Sequence, residues 1–329
     1  MQIQALRGCT TVAWCGYLRR KPFDLDHQHK EPCLLQHHDV ILSDGQRLHV
    51  ASSGKVGRPL LLFAHGFPEC WAAWQTQLAA FGQDHFCLAP DLRGYNLSGK
   101  PEGIAAYRVQ PLMDDFLGLM RHFGYEQCVL VAHDWGGAVA WSLAAREPRS
   151  LSKLVIINSP HPIPFARALA HNPKQQAASQ YMLRFREADA AEFLLQDDCA
   201  RLLALFRHPI TGKSALDETE IALYKQAWNR PGAMDAMLNY YRASPLVPPT
   251  AGQAGAAGLK LDPEDFLVPM PTLVIWGEQD QALLPVLLED LGAVVPDLHI
   301  YRVPGASHWV VHEEPDAVEA AIRCFLAAT

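Results

Sequence analysis

Little in these 329 residues favours a polyanionic partner or a passage through a bilayer. Acidic residues outnumber basic ones, 35 to 28, and no dense Lys/Arg run occurs, which argues against nucleic acid as a partner. None of the eight cysteines stands in a CxxC pair or at metal-ligand spacing, so neither a thiol redox centre nor a thiolate metal site is expected. Scattered thiols of this kind, two of them (Cys87 and Cys128) inside predicted strands, fit a reducing cytoplasm. The mildly apolar stretch Gly8 to Leu18, followed by Arg19, Arg20 and Lys21, is too short to span a bilayer and lacks the charge-first order of a signal peptide. Residues 1–35 therefore read as an N-terminal extension, and no integral membrane segment is expected.

What is present is an alternation of strand and helix. Two β-prone runs from His38 to Ser52 flank Asp44-Gly45, a hairpin signal. Pro59 to Ala64 is a continuous apolar run, as a strand buried on both faces requires. Helical spacing over Trp71–Phe81 and Pro111–Phe123 alternates with strands at Phe86–Ala89, Cys128–Ala132 and Lys153–Asn158. The alternation predicts a mainly parallel sheet with helices on both faces. After Pro162 it stops: about a hundred residues, to Pro263, read as helical, closing with a loop or linker from Pro245 to Gly258. Strands return at Thr272–Trp276 and Leu298–Val303, before a last helix over Pro315–Ala327. The domain reading is a core over residues 36–162 and 264–329, interrupted by a helical cap at 163–263 that can sit over the carboxyl ends of the strands.

The chain is organised around Cys128 to Gly137, which reads strand, sharp turn, helix, with Asp134 at the turn. Ala132 and Gly136, two residues either side, are small enough to let helix and strand approach a reactive side chain there. Ser usually occupies such an apex. A serine attacking an alkyl carbon would leave an ether, whereas a carboxylate leaves an ester that water can cleave. An Asp at this position therefore suits the opening of epoxides or the displacement of halide; its alternative role is that of a helix cap. Two further strand ends carry polar residues in a telling order: Gly277-Glu278-Gln279-Asp280, then Gly305-Ala306-Ser307-His308-Trp309. Nucleophile, acid, histidine is the order of an α/β-hydrolase triad, with His308 as base and Asp280 orienting it; Glu278 is the competing acid. The backbone N–H groups of Phe67 and Trp135 are the expected oxyanion hole.

These residues extend into longer motifs. His65-Gly66-Phe67-Pro68-Glu69 with Trp71 and Trp74, then Asp91-Leu92-Arg93-Gly94-Tyr95, His133-Asp134-Trp135-Gly136-Gly137 and Asn158-Ser159-Pro160-His161-Pro162, resemble the epoxide hydrolase branch of the α/β-hydrolase family from about Asp39 to the C-terminus. The resemblance implies an α/β-hydrolase fold with an eight-stranded, mainly parallel sheet and an inserted lid bearing two tyrosines that activate the epoxide oxygen. Tyr241 in Leu-Asn-Tyr-Tyr-Arg and Tyr181 in Ser-Gln-Tyr-Met-Leu-Arg-Phe match them, with Tyr240 and Tyr224 as the decoys. It further implies contacts to substrate from His65, Pro68, Trp74, His133 and Trp309, a small lipophilic epoxide as substrate, no metal or organic cofactor, and a monomer or homodimer. Two rivals share the scaffold. A haloalkane or haloacetate dehalogenase uses the same Asp, although Phe67 lacks the side-chain donor a departing halide needs; a non-catalytic ligand-binding protein would have no use for Asp134, His308 and both tyrosines together.

Overall fold

A computed structural model describes residues 34–328. Among them eight strands form one sheet in the order β1-β2-β4-β3-β5-β6-β7-β8. β1 (Gln36–Ile41) and β2 (Arg47–Ser53) are the antiparallel hairpin foreseen around Asp44-Gly45. Gly45 takes a left-handed φ of 85°, and the Gln46 amide donates to Asp44 Oδ1 at 2.9 Å, closing the turn. β2 pairs antiparallel with β4 (Phe86–Pro90), and from there on every pairing is parallel. β3 (Leu60–Ala64), β5 (Cys128–His133), β6 (Leu151–Ile157) and β7 (Thr272–Gly277) form the buried centre, and β8 (Leu298–Val303) the far edge. Leu61, Leu62, Phe63, Val131, Ile156 and Val274 are wholly buried, each such large apolar side chain contributing about 1.5–3 kcal/mol.

This order fixes where a ligand can sit. The chain leaves β3 for β4 on one side and later enters β5 on the other, so the ends of β3 and β5 flank the crevice where connections diverge. Phe67 follows β3 and Asp134 follows β5.

Between β6 and β7 lie six helices, Pro162–His171, Pro173–Ala178, Tyr181–Arg184, Ala190–Leu205, Glu218–Trp228 and Ala233–Ala243. Glu218–Trp228 opens with a full capping box between Asp217 and Glu220. The last of them ends at Ala243, just before the loop expected from Pro245, where Pro245, Pro248 and Pro249 forbid continuation; only short 3₁₀ turns at Gly255–Gly258 and Pro263–Phe266 follow. Three buried polar tips pin this segment to the sheet's loops: Trp228 Nε1 donates to the Pro68 carbonyl (2.5 Å), the Tyr240 hydroxyl to that of Arg93 (2.8 Å), and Trp309 Nε1 to that of Leu205 (2.6 Å). No helix among the described residues is long and apolar enough to cross a membrane. The expected extension at 1–35 lies almost wholly outside the described residues.

Candidate active site

β5 ends in a turn that only close neighbours without side chains permit. Asp134 adopts a left-handed φ of 46°, a conformation that costs a non-glycine residue about 1–3 kcal/mol. A Cβ on Gly136 would lie 2.5 Å from the carbonyl oxygens of Ala64 and His65, and one on Gly66 would lie 2.4 Å from Asp134 Oδ1. The glycines thus let the β3 loop and the helix Asp134–Arg146 close around the carboxylate.

The Phe67 amide donates to Asp134 Oδ1 at 2.7 Å, in a loop whose Phe67–Pro68 bond is cis. Trp135 opens the helix, so its amide belongs to the first turn, whose N–H groups have no intrahelical acceptor. The other carboxylate oxygen, Oδ2, faces His308 Nε2 at 3.7 Å, wider than a hydrogen bond. His308 Nδ1 donates to Asp280 Oδ2 at 2.7 Å. Asp280 itself is saturated: Asn158 Nδ2 also donates to Oδ2 (2.8 Å), and the Ala282 and Leu283 amides donate to Oδ1 (both 2.8 Å). Burial alone would lower the His308 imidazole, but the carboxylates of Asp280 and Asp134 outweigh it and lift it to about 9. Burial correspondingly opposes ionisation of Asp280, and His308 with the surrounding donors holds its carboxyl below the ordinary value. Glu278, the competing acid, pairs instead with Arg302 at 2.9 Å on the surface.

A cavity of about 480 Å³ opens from Asp134. Its walls include Trp135, Tyr181 and Tyr241 beside the carboxylate, and Leu112, Val139, Phe165, Leu246, Leu261 and Phe266 farther out. The Tyr181 and Tyr241 rings are 6.1 Å apart, and that of Tyr241 stands edge-on to Trp135 at 5.0 Å and to Phe67 at 5.3 Å. Burial, and then nearby charges and phenols, push both hydroxyls far above the ordinary tyrosine value, so both remain donors. Tyr240 also borders the cavity, but its hydroxyl is spent on the Arg93 carbonyl, and Tyr224 is buried against Phe206 and Trp228.

The expected substrate contacts need correction, because none of the five lines this cavity. His65 is buried, donating through Nδ1 to the Gly66 carbonyl and accepting the Leu92 amide on Nε2. Pro68 is buried, its carbonyl taken by Trp228, and Trp74 packs on Phe63 with no exposed surface. His133 points behind the elbow to Glu69 and the His308 carbonyl, since successive side chains of a strand face opposite ways. Trp309 stacks on Phe206, ring centroids 4.0 Å apart. Two residues given no role in the sequence reading matter here. Asn158 anchors Asp280, and Glu69 takes hydrogen bonds from His133 and His312. Both stood in quoted motifs, and a polar side chain in a motif that directly follows an apolar strand run was the available signal.

The chain matches the family described as having the alpha/beta hydrolase fold over residues 59–315. It is 37% identical to the AB hydrolase superfamily protein YfhM of Bacillus subtilis, the match covering 86% of this chain and 96% of the relative. It is 35% identical to Epoxide hydrolase 1 of Caenorhabditis elegans over 85% of this chain and 68% of that protein. Among solved structures, an epoxide hydrolase from Bacillus megaterium in complex with its naphthyloxy-propane-diol product superimposes with a TM-score of 0.79 at 33% identity, covering 89% of this chain and all of that one.

Proposed function

The chain belongs to the epoxide hydrolase branch of the α/β-hydrolase family, and from that premise we propose that it opens a lipophilic epoxide to a vicinal diol through an ester on Asp134. The observation that carries this reading is an Asp, not a Ser, at the elbow, with two protonated tyrosines bordering the same cavity.

In the first half-reaction Asp134 Oδ2 attacks a ring carbon while the Tyr181 and Tyr241 hydroxyls donate to the epoxide oxygen. One of them transfers its proton as the C–O bond breaks, because an alkoxide is a poor leaving group. The product is a hydroxyalkyl ester whose carbonyl oxygen is Oδ1, the atom already bonded by the Phe67 amide. In the second half-reaction His308 takes a proton from water, the resulting hydroxide adds to the Asp134 carbonyl carbon, and the Phe67 and Trp135 amides hold the oxyanion. On collapse the departing diol oxygen takes the proton from the His308 imidazolium, and the Asp134 carboxylic acid, now holding one oxygen from water, gives its proton back to the imidazole.

The electrostatics time the two halves. The Asp134 carboxylate helps hold the His308 proton; alkylation removes that charge, so the imidazolium passes its proton by way of solvent to the tyrosinate left by ring opening, which restores the acid and frees the imidazole to act as base. Residues 163–263 serve as the lid, and their tyrosines supply the acid. The apolar walls suit a lipophilic substrate.

The test is single turnover with styrene oxide in oxygen-18 water, followed by intact-mass and peptide analysis. Diol formation with label in Asp134, and a trapped adduct in His308→Gln, are expected. Halide release from an alkyl halide without diol would move the assignment to a dehalogenase. No turnover of either, with no adduct, would favour a binding protein.

A further inference from the structure

Behind the elbow, on the side away from the cavity, lies a buried cluster of charge that the two half-reactions leave unused. Glu69 is 1% exposed. Its Oε2 accepts from His133 Nδ1 at 2.9 Å and its Oε1 from His312 Nε2 at 2.7 Å. His133 Nε2 donates onward to the backbone carbonyl of His308 at 3.0 Å, and the two imidazole rings lie 4.7 Å apart. His312 Nδ1 faces Glu220 Oε1, on the helix Glu218–Trp228, at 3.4 Å. Each oxygen and ring nitrogen of this chain thus has a partner.

The cluster is placed where three catalytic loops meet. Glu69 sits on the β3 loop two residues after Phe67; His133 precedes the nucleophile; His312 lies one helical turn beyond the base, with His308 itself held through its carbonyl. Burying charges here is expensive, and an apolar filling would stabilise the fold at least as well, so stability alone does not account for it. What an apolar filling lacks is direction: hydrogen bonds fix the register of one loop against another.

We propose that Glu69 and His312 are positioning residues for ester hydrolysis, tying the loop that carries His308 to the loop of Phe67 and to the elbow, so that Nε2 is held over the Asp134 carbonyl. The proposal rests on the ester mechanism above. Attack on the epoxide needs Asp134, Tyr181 and Tyr241, to none of which Glu69 or His312 bonds, whereas water activation needs His308 in register. The two half-reactions therefore respond differently. When the second step alone slows and limits turnover, kcat and KM fall together and kcat/KM, which reports steps up to alkylation, is preserved.

The experiment compares wild type, Glu69→Gln, His312→Leu and His312→Gln in steady-state and rapid-quench turnover of styrene oxide, with the ester followed by intact mass and folding by thermal melting. Misplacement of a reacting group by about 1 Å costs as much as 10²-fold, so Glu69→Gln and His312→Leu are expected to lose roughly 10- to 100-fold in kcat with KM falling in step. The ester should accumulate in both. His312→Gln, which keeps a donor toward Glu69, should recover much of the loss. A purely structural role would instead give losses that track the folded fraction, with kcat/KM falling, no accumulated ester and no rescue; that result overturns the proposal. Should Glu69→Gln fail to fold, the two His312 variants decide between these outcomes. A wild type that forms neither ester nor diol would sink the ester mechanism itself, and is recognised before any variant is compared.

Discussion

Replacing Asp280 by Asn tests the orientation of the base, and the surrounding hydrogen bonds determine its effect. Oδ1 of Asp280 accepts two backbone amides, from Ala282 and Leu283; Oδ2 faces His308 Nδ1 and Asn158 Nδ2. An Asn with its amide group toward the backbone would set donor against two fixed donors. Turned the other way it meets one fixed donor, Asn158, and His308, which can respond by accepting. The second arrangement leaves one fewer buried donor unpaired, a preference of about 1–3 kcal/mol. It forces the proton onto Nε2, the nitrogen that must be free to take a proton from water. Loss of a carboxylate opposite the imidazolium that forms removes about another 1.5–3 kcal/mol, the strength of a hydrogen bond to a charged group. At about 1.4 kcal/mol per decade the two effects together slow ester hydrolysis roughly 10²- to 10⁴-fold, the upper end matching what the wrong tautomer costs a Ser-His-Asp triad. Alkylation requires no proton from His308 and should change far less. Rapid quench with intact-mass detection reads both rates: a fast rise of ester that decays slowly is expected. Hydrolysis slowed less than about tenfold in a folded variant, or alkylation slowed equally, would refute the tautomer argument.

Three further outcomes follow from the same geometry. Tyr181→Phe and Tyr241→Phe should each slow alkylation about 10- to 100-fold and the double variant about 10²- to 10⁴-fold, the usual range for a general acid, while Tyr240→Phe, whose hydroxyl serves the Arg93 carbonyl, should act on the melting temperature rather than on alkylation. Gly136→Ala should cost about 2–4 kcal/mol or prevent folding, because its Cβ would meet two backbone oxygens that cannot yield, and calorimetry would read this directly. His308 and His312 each rise to about 9 in the folded protein, so their contributions to stability are complete below about pH 6.5 and are lost as pH climbs through 9. Melting temperature should therefore fall between pH 7 and 10, and His308→Gln should remove about half of that slope because His312 shares the window; an unchanged slope would contradict the shifted imidazole.

The strands, the turn at Asp134 and the strand ends that bring Asp280 and His308 to it were legible in the chain because each is a local signal. Apolar runs marked β3, β5, β6 and β7, and the hairpin at Asp44-Gly45 fell where the turn chemistry put it. The tyrosines came from resemblance rather than from pattern: nothing in their spacing separates Tyr241 from Tyr240, which adjoins it on the same helix and turns its hydroxyl to Arg93. What sequence adjacency could not give was facing. His133 and Trp309 adjoin Asp134 and His308 in the chain yet turn away from the cavity, because one step along a strand or turn reverses the side chain. The stretch after Ala243 hid a contact rather than a fold. Pro245 to Gly258 read as loop or linker and is a loop, but nothing in its composition showed that Pro245 and Leu246, with Leu259 and Leu261 just beyond it, form part of the cavity wall. Composition reports that a segment lacks regular structure, not that it lacks contacts.

The arrangement around Asp134 answers a problem peculiar to a carboxylate nucleophile. A serine enzyme needs its histidine as a base from the outset; under the proposed ester mechanism a carboxylate attacks without giving up a proton, and a basic imidazole 3.7 Å away would be idle in the first step. Holding the imidazole protonated at about 9 instead places a cation beside Asp134, which stabilises the carboxylate until it reacts. Under the proposed mechanism alkylation would then remove the negative charge that sustained the cation, leaving Asp280 as its principal partner, and the imidazole would lose its proton and become a base only after there is an ester to hydrolyse. The Phe67 amide would need no rearrangement between the proposed steps, since Asp134 Oδ1, its acceptor in the carboxylate, would remain so as ester carbonyl and as oxyanion. On this argument the same set of fixed dipoles serves both halves of the reaction, and what changes between them is the charge on a single side chain.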